Sequence, residues 1–179
     1  HKGVDVLLAR HNHTAAELFQ EQRGLEYDKK AFMYGRVVNK NARWNLCFDD
    51  VAQEPNYETG KGRIVPFDEV PLLGALRQEI SGLHVKSRDL KVESNYYYDA
   101  SKCGIGWHGD SERRKVIGVR LGTVGVPIYY QWYHEGEPIG ETTRIDLEPG
   151  DMYIMSEKAG GSDWKMRSRY TLRHAVGEE

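Results

Sequence analysis

The sequence is short of cysteine, of long apolar runs and of surplus positive charge, and each shortage removes a class of protein. Its 179 residues include two cysteines, Cys47 and Cys103, far apart and outside any Cys-x-x-Cys spacing. A thiolate zinc site is therefore not expected, and two unpaired thiols in a reducing, intracellular compartment fit better than one disulfide. Mean hydropathy is -0.68, and no stretch approaches the roughly 20 apolar residues a membrane helix requires, so no membrane partner is expected. Lys and Arg number 25 against 27 Asp and Glu, a net charge of -2. A protein that wraps duplex nucleic acid without regard to sequence is usually basic overall, so contact with nucleic acid would have to come from a local patch. There is no internal repeat and no low-complexity segment. The N-terminal residues His1-Lys2-Gly3-Val4-Asp5 have no signal-peptide layout and no initiator Met, which predicts a trimmed or tagged fragment.

What is present is a profile of 39% hydrophobic and 29% charged residues, enough for one domain with a core. Thr14 to Arg23 carries Ala15, Leu18 and Phe19 at helical spacing, with Thr14 and Glu17 placed as a capping box. Ala31 to Phe48 mixes aromatic and β-branched residues and reads as strands. Pro71 opens a second helical stripe of Leu72, Leu73, Leu76 and Ile80 that runs to Leu83. After Asp89 the segments become short, β-prone and punctuated by Gly and Pro: Val116 to Leu121, Val126 to Tyr133, Arg144 to Leu147, Met152 to Met155 and Tyr170 to Val176. That texture predicts a sandwich or barrel. The expected layout is α+β and mainly β, one domain over 1–179, with helices and a few strands in 1–88 and the β core in 89–179.

The chemistry centres on Trp107-His108-Gly109-Asp110. His-x-Asp at a strand end directs an imidazole nitrogen and a carboxylate oxygen to the same side. With one more histidine these make a facial triad suited to non-haem iron, leaving coordination positions open. The tripeptide alone is a weak signal, since a surface His and Asp flanking a turn at Gly109 read the same way. Two histidines follow it. His134 sits in an expected turn, His134-Glu135-Gly136-Glu137-Pro138, whereas His174 sits in an expected buried strand. His174 is therefore the third candidate ligand.

From Asp89 onward, and more loosely from Arg36, the chain resembles the AlkB-like dioxygenases of the 2-oxoglutarate/Fe(II) superfamily. The matching pieces occur in order: Pro71-Leu72-Leu73-Gly74-Ala75-Leu76; Asn95-Tyr96-Tyr97-Tyr98-Asp99, like the family's Asn-x-Tyr strand; Ile105-Gly106-Trp107-His108-Gly109-Asp110-Ser111-Glu112; Val116 to Gly122; Leu147 to Met155; and Arg167-Ser168-Arg169-Tyr170-Thr171-Leu172-Arg173, like the family's Arg-x-Asn-x-Thr-Phe-Arg. One departure stands out. The family's distal histidine precedes that last strand, and no histidine lies between Met155 and Arg167. In one alignment His174 is the distal ligand and the cosubstrate's cation lies elsewhere. In the other, Arg167 and Arg173 hold the cosubstrate and the distal ligand has been lost or replaced. The first is preferred, because His-x-Asp without a third ligand would hold iron weakly.

The resemblance implies a double-stranded β-helix (jelly-roll) core with N-terminal helices and a β lid. It implies Fe(II) on His108, Asp110 and His174, and 2-oxoglutarate as cosubstrate. Asn95 and Tyr97, two apart on a strand, are the expected polar contacts to that cosubstrate. Arg167, Arg169 and Arg173 are expected on one face of a strand, with Arg167 and Arg173 offering bidentate cations to its far carboxylate. Tyr34, Arg36, Arg43 and Trp44 fall where the family carries its nucleotide-recognition lid, and Trp107 and Glu112 beside the metal motif are further substrate candidates. A monomer that oxidatively demethylates or hydroxylates bases in single-stranded or flipped-out nucleic acid is the leading expectation. A protein or small-molecule hydroxylase on the same chemistry, and a non-catalytic β-sandwich binding module, are the alternatives.

Overall fold

Thr14 and Pro71 start helices where the sequence says they should. The computed structural model describes residues 2–177 and is α+β, mainly β. It contains two compact units, residues 4–103 and residues 104–177 together with residues 2 and 3.

In the N-terminal unit, α1 (Gly3–Leu8) and α2 (Ala15–Arg23) come first. The Thr14 hydroxyl accepts from the Glu17 amide at 3.2 Å, and the Glu17 carboxylate accepts from the Thr14 amide at 2.9 Å. Two amides that the helix cannot satisfy internally are thus paired reciprocally. Strands β1 (Lys30–Met33) and β2 (Arg36–Asn39) form a hairpin. Its two-residue turn, Tyr34-Gly35, has φ of 54° and 74°, the positive values that match the twist of the flanking strands. Strand β3 (Trp44–Asp49) lies between β4 (Ile64–Pro66), parallel to it, and β5 (Val92–Tyr96), antiparallel. Helix α3 (Pro71–Leu83) intervenes and buries Leu73, Leu76 and Ile80. Glu21, on α2, accepts from the Leu72 and Leu73 amides at 2.8 and 3.0 Å, so one helix supplies the anion that caps the next. Because β5 pairs with β3, this strand belongs to the N-terminal unit. The division falls between residues 103 and 104, later than the boundary at 88 expected from the change in sequence texture.

The C-terminal unit contains β6 (Ile105–His108), β7 (Val116–Val119), β8 (Ile128–His134), β9 (Glu137–Ile145), β10 (Met152–Met155), the short helix α4 (Glu157–Gly160) and β11 (Thr171–Val176). Four strands run in the order β6-β11-β8-β9, antiparallel at every junction, and β7 pairs antiparallel with β10 in a second sheet. Ile128, Leu147 and Met155 form a buried cluster, against which Val116, Tyr130, Tyr153 and Val176 pack. Apart from Leu147, which lies between β9 and β10, those residues come from β7 and β10 on one side and β8 and β11 on the other, so the cluster joins the two sheets. Strand β9 departs from expectation. It extends back to Glu137, where only Arg144 to Leu147 was expected as strand. All nine of its residues are exposed, so no alternation of apolar and polar residues marks it, and its hydrogen bonds to β8 alone define it. Among the described residues no helix is long and apolar enough to cross a membrane.

Candidate metal centre

Strands β6 and β11 bring two histidines face to face. His108 and His174 are direct cross-strand partners, and their rings lie 4.3 Å apart between centroids. Asp110 follows one turn residue after β6. His108 Nε2 is 3.9 Å from Asp110 Oδ1, and His174 Nε2 is 3.8 Å from Asp110 Oδ2. One ligand atom from each residue lies within 4.8 Å of the other two, so holding one ion at bond lengths near 2 Å, which sets neighbouring ligands about 3 Å apart, requires the three side chains to draw together.

The local chain explains why these atoms converge. The Asp110 amide donates to the Gly160 carbonyl at 2.7 Å, pinning the His108–Asp110 loop to the end of α4. Gly109 is buried, and a Cβ there would meet Trp164 Cγ at 2.6 Å and press on the Gly161 carbonyl. The middle residue of the His-x-Asp motif therefore has no room for a side chain. Trp164 also donates from Nε1 to the Ser111 hydroxyl at 3.0 Å, so one indole braces both sides of Asp110.

The histidines are set in ligand-competent states. His108 Nδ1 lies 2.8 Å from the Gly106 carbonyl. A carbonyl can only accept, so Nδ1 carries the proton and the Nε2 lone pair faces the site. Burial holds the His174 imidazole below its ordinary pKa of 6.5, the neighbouring His108 ring adds to that, and the Asp110 carboxylate opposes it. A neutral His174 at neutral pH is what a metal requires. Side-chain exposure runs from 25% at His108 through 18% at Asp110 to 5% at His174. The site therefore opens on the His108 side and is closed behind His174. Arg113 Nη1, 3.7 Å from Asp110 Oδ2, stands at that open rim.

The other expected site residues are distributed more widely. Trp107 falls on the opposite face of β6 from His108, with its ring 6.5 Å from that of Tyr133. Arg173 likewise faces away from His174: its guanidinium stacks on Tyr133 at 3.8 Å and lies 5.5 Å from Trp164. Arg167 and Arg169 precede β11, in a segment of turns closed by Met166 N to Asp163 O and Arg169 N to Met166 O. The expected strand alternation of Arg167, Arg169 and Arg173 is therefore not realised. Arg167 is exposed and donates from Nη2 to the Glu135 carbonyl at 2.7 Å. Glu112 is exposed in the turn after Asp110. His134 ends β8 and stacks on Tyr170, 4.3 Å between centroids.

Tyr34, Arg36, Arg43, Trp44, Asn95 and Tyr97 all belong to the N-terminal unit. There Arg43 Nε donates to Asn95 Oδ1 at 2.7 Å, and Trp44 stacks on Tyr98 at 4.3 Å with Lys29 over its ring. Tyr34 is 90% exposed at the hairpin tip, beside exposed Phe32, Met33 and Arg36. Sequence reasoning overlooked Arg120, Tyr130, Tyr153 and Trp164. Tyr130 is the cross-strand partner of His174, and only knowledge of the register identifies it.

No family model matches the chain. Over 164 residues, 90% of its length, it is 53% identical to an uncharacterized protein of Acanthamoeba polyphaga mimivirus. The match covers 63% of that viral protein, less than two-thirds of its length.

Proposed function

We propose that this chain is an Fe(II)- and 2-oxoglutarate-dependent dioxygenase of the AlkB-like kind, built on a jelly-roll core. The observation that carries the reading is the His108–Asp110–His174 group, two nitrogens and one oxygen within 4.8 Å on a β scaffold. The donor set suits iron: neutral imidazoles and a carboxylate, no thiolate, and one open side. The sheet order β6-β11-β8-β9 facing a β7/β10 pair supports the jelly-roll assignment, with His108 and His174 on adjacent strands of one sheet.

His108 Nε2, His174 Nε2 and the Asp110 carboxylate would hold the metal, which with 2-oxoglutarate and dioxygen supplies oxidation of a substrate C–H bond coupled to release of succinate and carbon dioxide. The protein's own part is positional. The Gly106 carbonyl fixes the His108 tautomer, the Gly160 carbonyl and the Trp164 indole fix the Asp110 loop, and burial keeps His174 unprotonated and water away from the inner side. A nucleic-acid base is the proposed substrate. What supports that choice is the likeness of residues 95–99, 105–112 and 167–173 to the motifs of the AlkB-like dioxygenases. The compartment proposed is intracellular, where Fe(II) and 2-oxoglutarate are both available.

Succinate release from a panel of alkylated oligonucleotides tests this, with binding measured across salt. Two to four phosphate contacts predict a loss of roughly one and a half to three orders of magnitude in affinity per tenfold rise in salt. Succinate release driven by peptides or free small molecules alone would move the assignment to a different hydroxylase. Failure to bind Fe(II) or Mn(II) would remove the enzyme reading.

A further inference from the structure

Arg120 is a buried arginine in the interior of the C-terminal unit. It follows β7 directly and is 8% exposed, and its Nε and Nη2 are fully buried with no hydrogen-bond partner among the described residues. An unpaired buried guanidinium is costly enough that a stable fold ordinarily supplies an anion or several acceptors for it. Its place in the fold indicates where an anion would come from. Side chains alternate along a strand, so Val116, Gly118 and Arg120 share one face of β7. Val116 packs on the core that joins the two sheets, which makes that face the inner one. Tyr153, opposite Gly118 on β10, lies across this glycine where a Cβ would collide with its ring. Tyr130, directly opposite His174 on β8, packs on the same core with its ring centroid 6.2 Å from that of His174. A polar strip thus runs through an apolar interior, from the metal ligands past Tyr130 and Tyr153 to Arg120. The electrostatics agree with this order. Burial raises the Tyr153 phenol, the Arg120 charge lowers it and the Asp110 charge raises it, so Tyr153 senses both ends of the strip.

We infer that Arg120, with Tyr153 beside it, is the receptor for the far carboxylate of a dicarboxylate whose other end reaches the His108–Asp110–His174 group. The inference rests on the metal reading above and assigns the cosubstrate's cation to β7, not to Arg167 or Arg173. Arg167 is occupied by the Glu135 carbonyl, and Arg173 is turned to the opposite face of its sheet. Guanidinium and carboxylate meet in bidentate fashion, and the Tyr153 phenol is a hydroxyl donor suited to the same oxygens.

The test compares wild type, Arg120→Met and Arg120→Lys by binding and by thermal unfolding. Mn(II) affinity is expected to stay within about twofold in all three. Affinity of the Mn(II) form for 2-oxoglutarate is expected to fall about 10- to 100-fold in Arg120→Met, the loss of a charge-assisted pair, and less in Arg120→Lys, which keeps the charge without the fork. Affinity for 2-oxopentanoate, which lacks the far carboxylate, is expected to be equal in all three. Without ligand, Arg120→Met is expected to unfold at the same or a higher temperature, because an unpaired buried charge is gone; a merely structural arginine would lower it. If wild type binds no Mn(II), the metal reading fails. The anion site is then read from glutarate, which should stabilise metal-free wild type and not Arg120→Met. Equal 2-oxoglutarate binding by wild type and Arg120→Met, or equal or absent stabilisation by glutarate in the metal-free case, overturns the inference.

Discussion

Replacing Gly109 by alanine adds one methyl group at the narrowest point of the metal loop. The new Cβ would fall 2.6 Å from Trp164 Cγ and 2.7 Å from Trp164 Cβ, and closer still to the Gly161 carbonyl. The φ of Gly109 is not in the left-handed region, so the cost is steric and not conformational. Overpacking of this kind costs about 1–3 kcal/mol. In a chain of this size each kcal/mol lowers Tm by about 2–4 °C, which gives a fall of about 2–12 °C. The second effect is on the site. The loop must yield by several tenths of an ångström, and it carries His108 on one side and Asp110 on the other, so Mn(II) affinity is expected to fall about tenfold or more. Thermal unfolding and Mn(II) titration followed by electron paramagnetic resonance read the two effects separately. A Trp164→Ala background removes the indole and leaves the Gly161 carbonyl, so Gly109→Ala should cost less there, with a measurable coupling between the two substitutions. Wild-type Tm and wild-type Mn(II) affinity in Gly109→Ala would refute the steric argument.

Three other outcomes follow from the same geometry. His108→Ala, Asp110→Ala and His174→Ala should each lose Mn(II) binding while keeping a wild-type circular dichroism spectrum; saturating Mn(II) at about 100 times Kd should add about 2.7 kcal/mol to wild-type stability, removable by EDTA, and nothing to the variants. The folded-state pKa of His174 is depressed below 6.5 by burial, so below that value the unfolded chain binds the proton first. Stability of the metal-free protein should therefore fall as pH drops from about 6.5 towards the lower folded pKa, and His174→Ala should flatten this part of the urea-midpoint profile; an unchanged slope would contradict the assignment. Thr14→Ala removes one half of the α2 capping box and should cost about 1 kcal/mol in urea unfolding, without effect on metal binding.

How much of this could be read from the sequence depends on the range of the signal. The two long helices were legible to the residue, because Thr14 with Glu17 and Pro71 are local start signals and the apolar stripes are periodic. That His108, Asp110 and His174 come together was legible from residue type and spacing, and the register makes the two histidines cross-strand partners. The arginines were not. Period-two reasoning placed Arg167, Arg169 and Arg173 on one face, but turns occupy residues 163–169 and only Arg173 lies on the strand. Strand β5 was assigned to the C-terminal core because its texture resembled what followed, whereas pairing with β3, some 45 residues earlier, is a long-range choice that texture does not encode. Arg120 carried no signal at all, since a single arginine after a short strand looks like a surface charge until its burial is known.

Strand β9 has a consequence for how the protein behaves at high concentration. It closes one side of the sheet β6-β11-β8-β9, pairs only with β8 among the described residues, and exposes its whole length. An outer strand of nine residues is a template on which another chain could add itself. The residues along it oppose that: Pro138 lacks a donor, Gly140 at φ 71° interrupts the extended backbone, Glu137, Glu141 and Arg144 carry charge, and the register with β8 slips between Tyr130 and Trp132. Each makes a straight, continuous ladder harder to extend. The charges and breaks that leave this strand without an apolar pattern thus also oppose strand addition along it, and replacing them with β-branched apolar residues is expected to make the edge a better template for another chain.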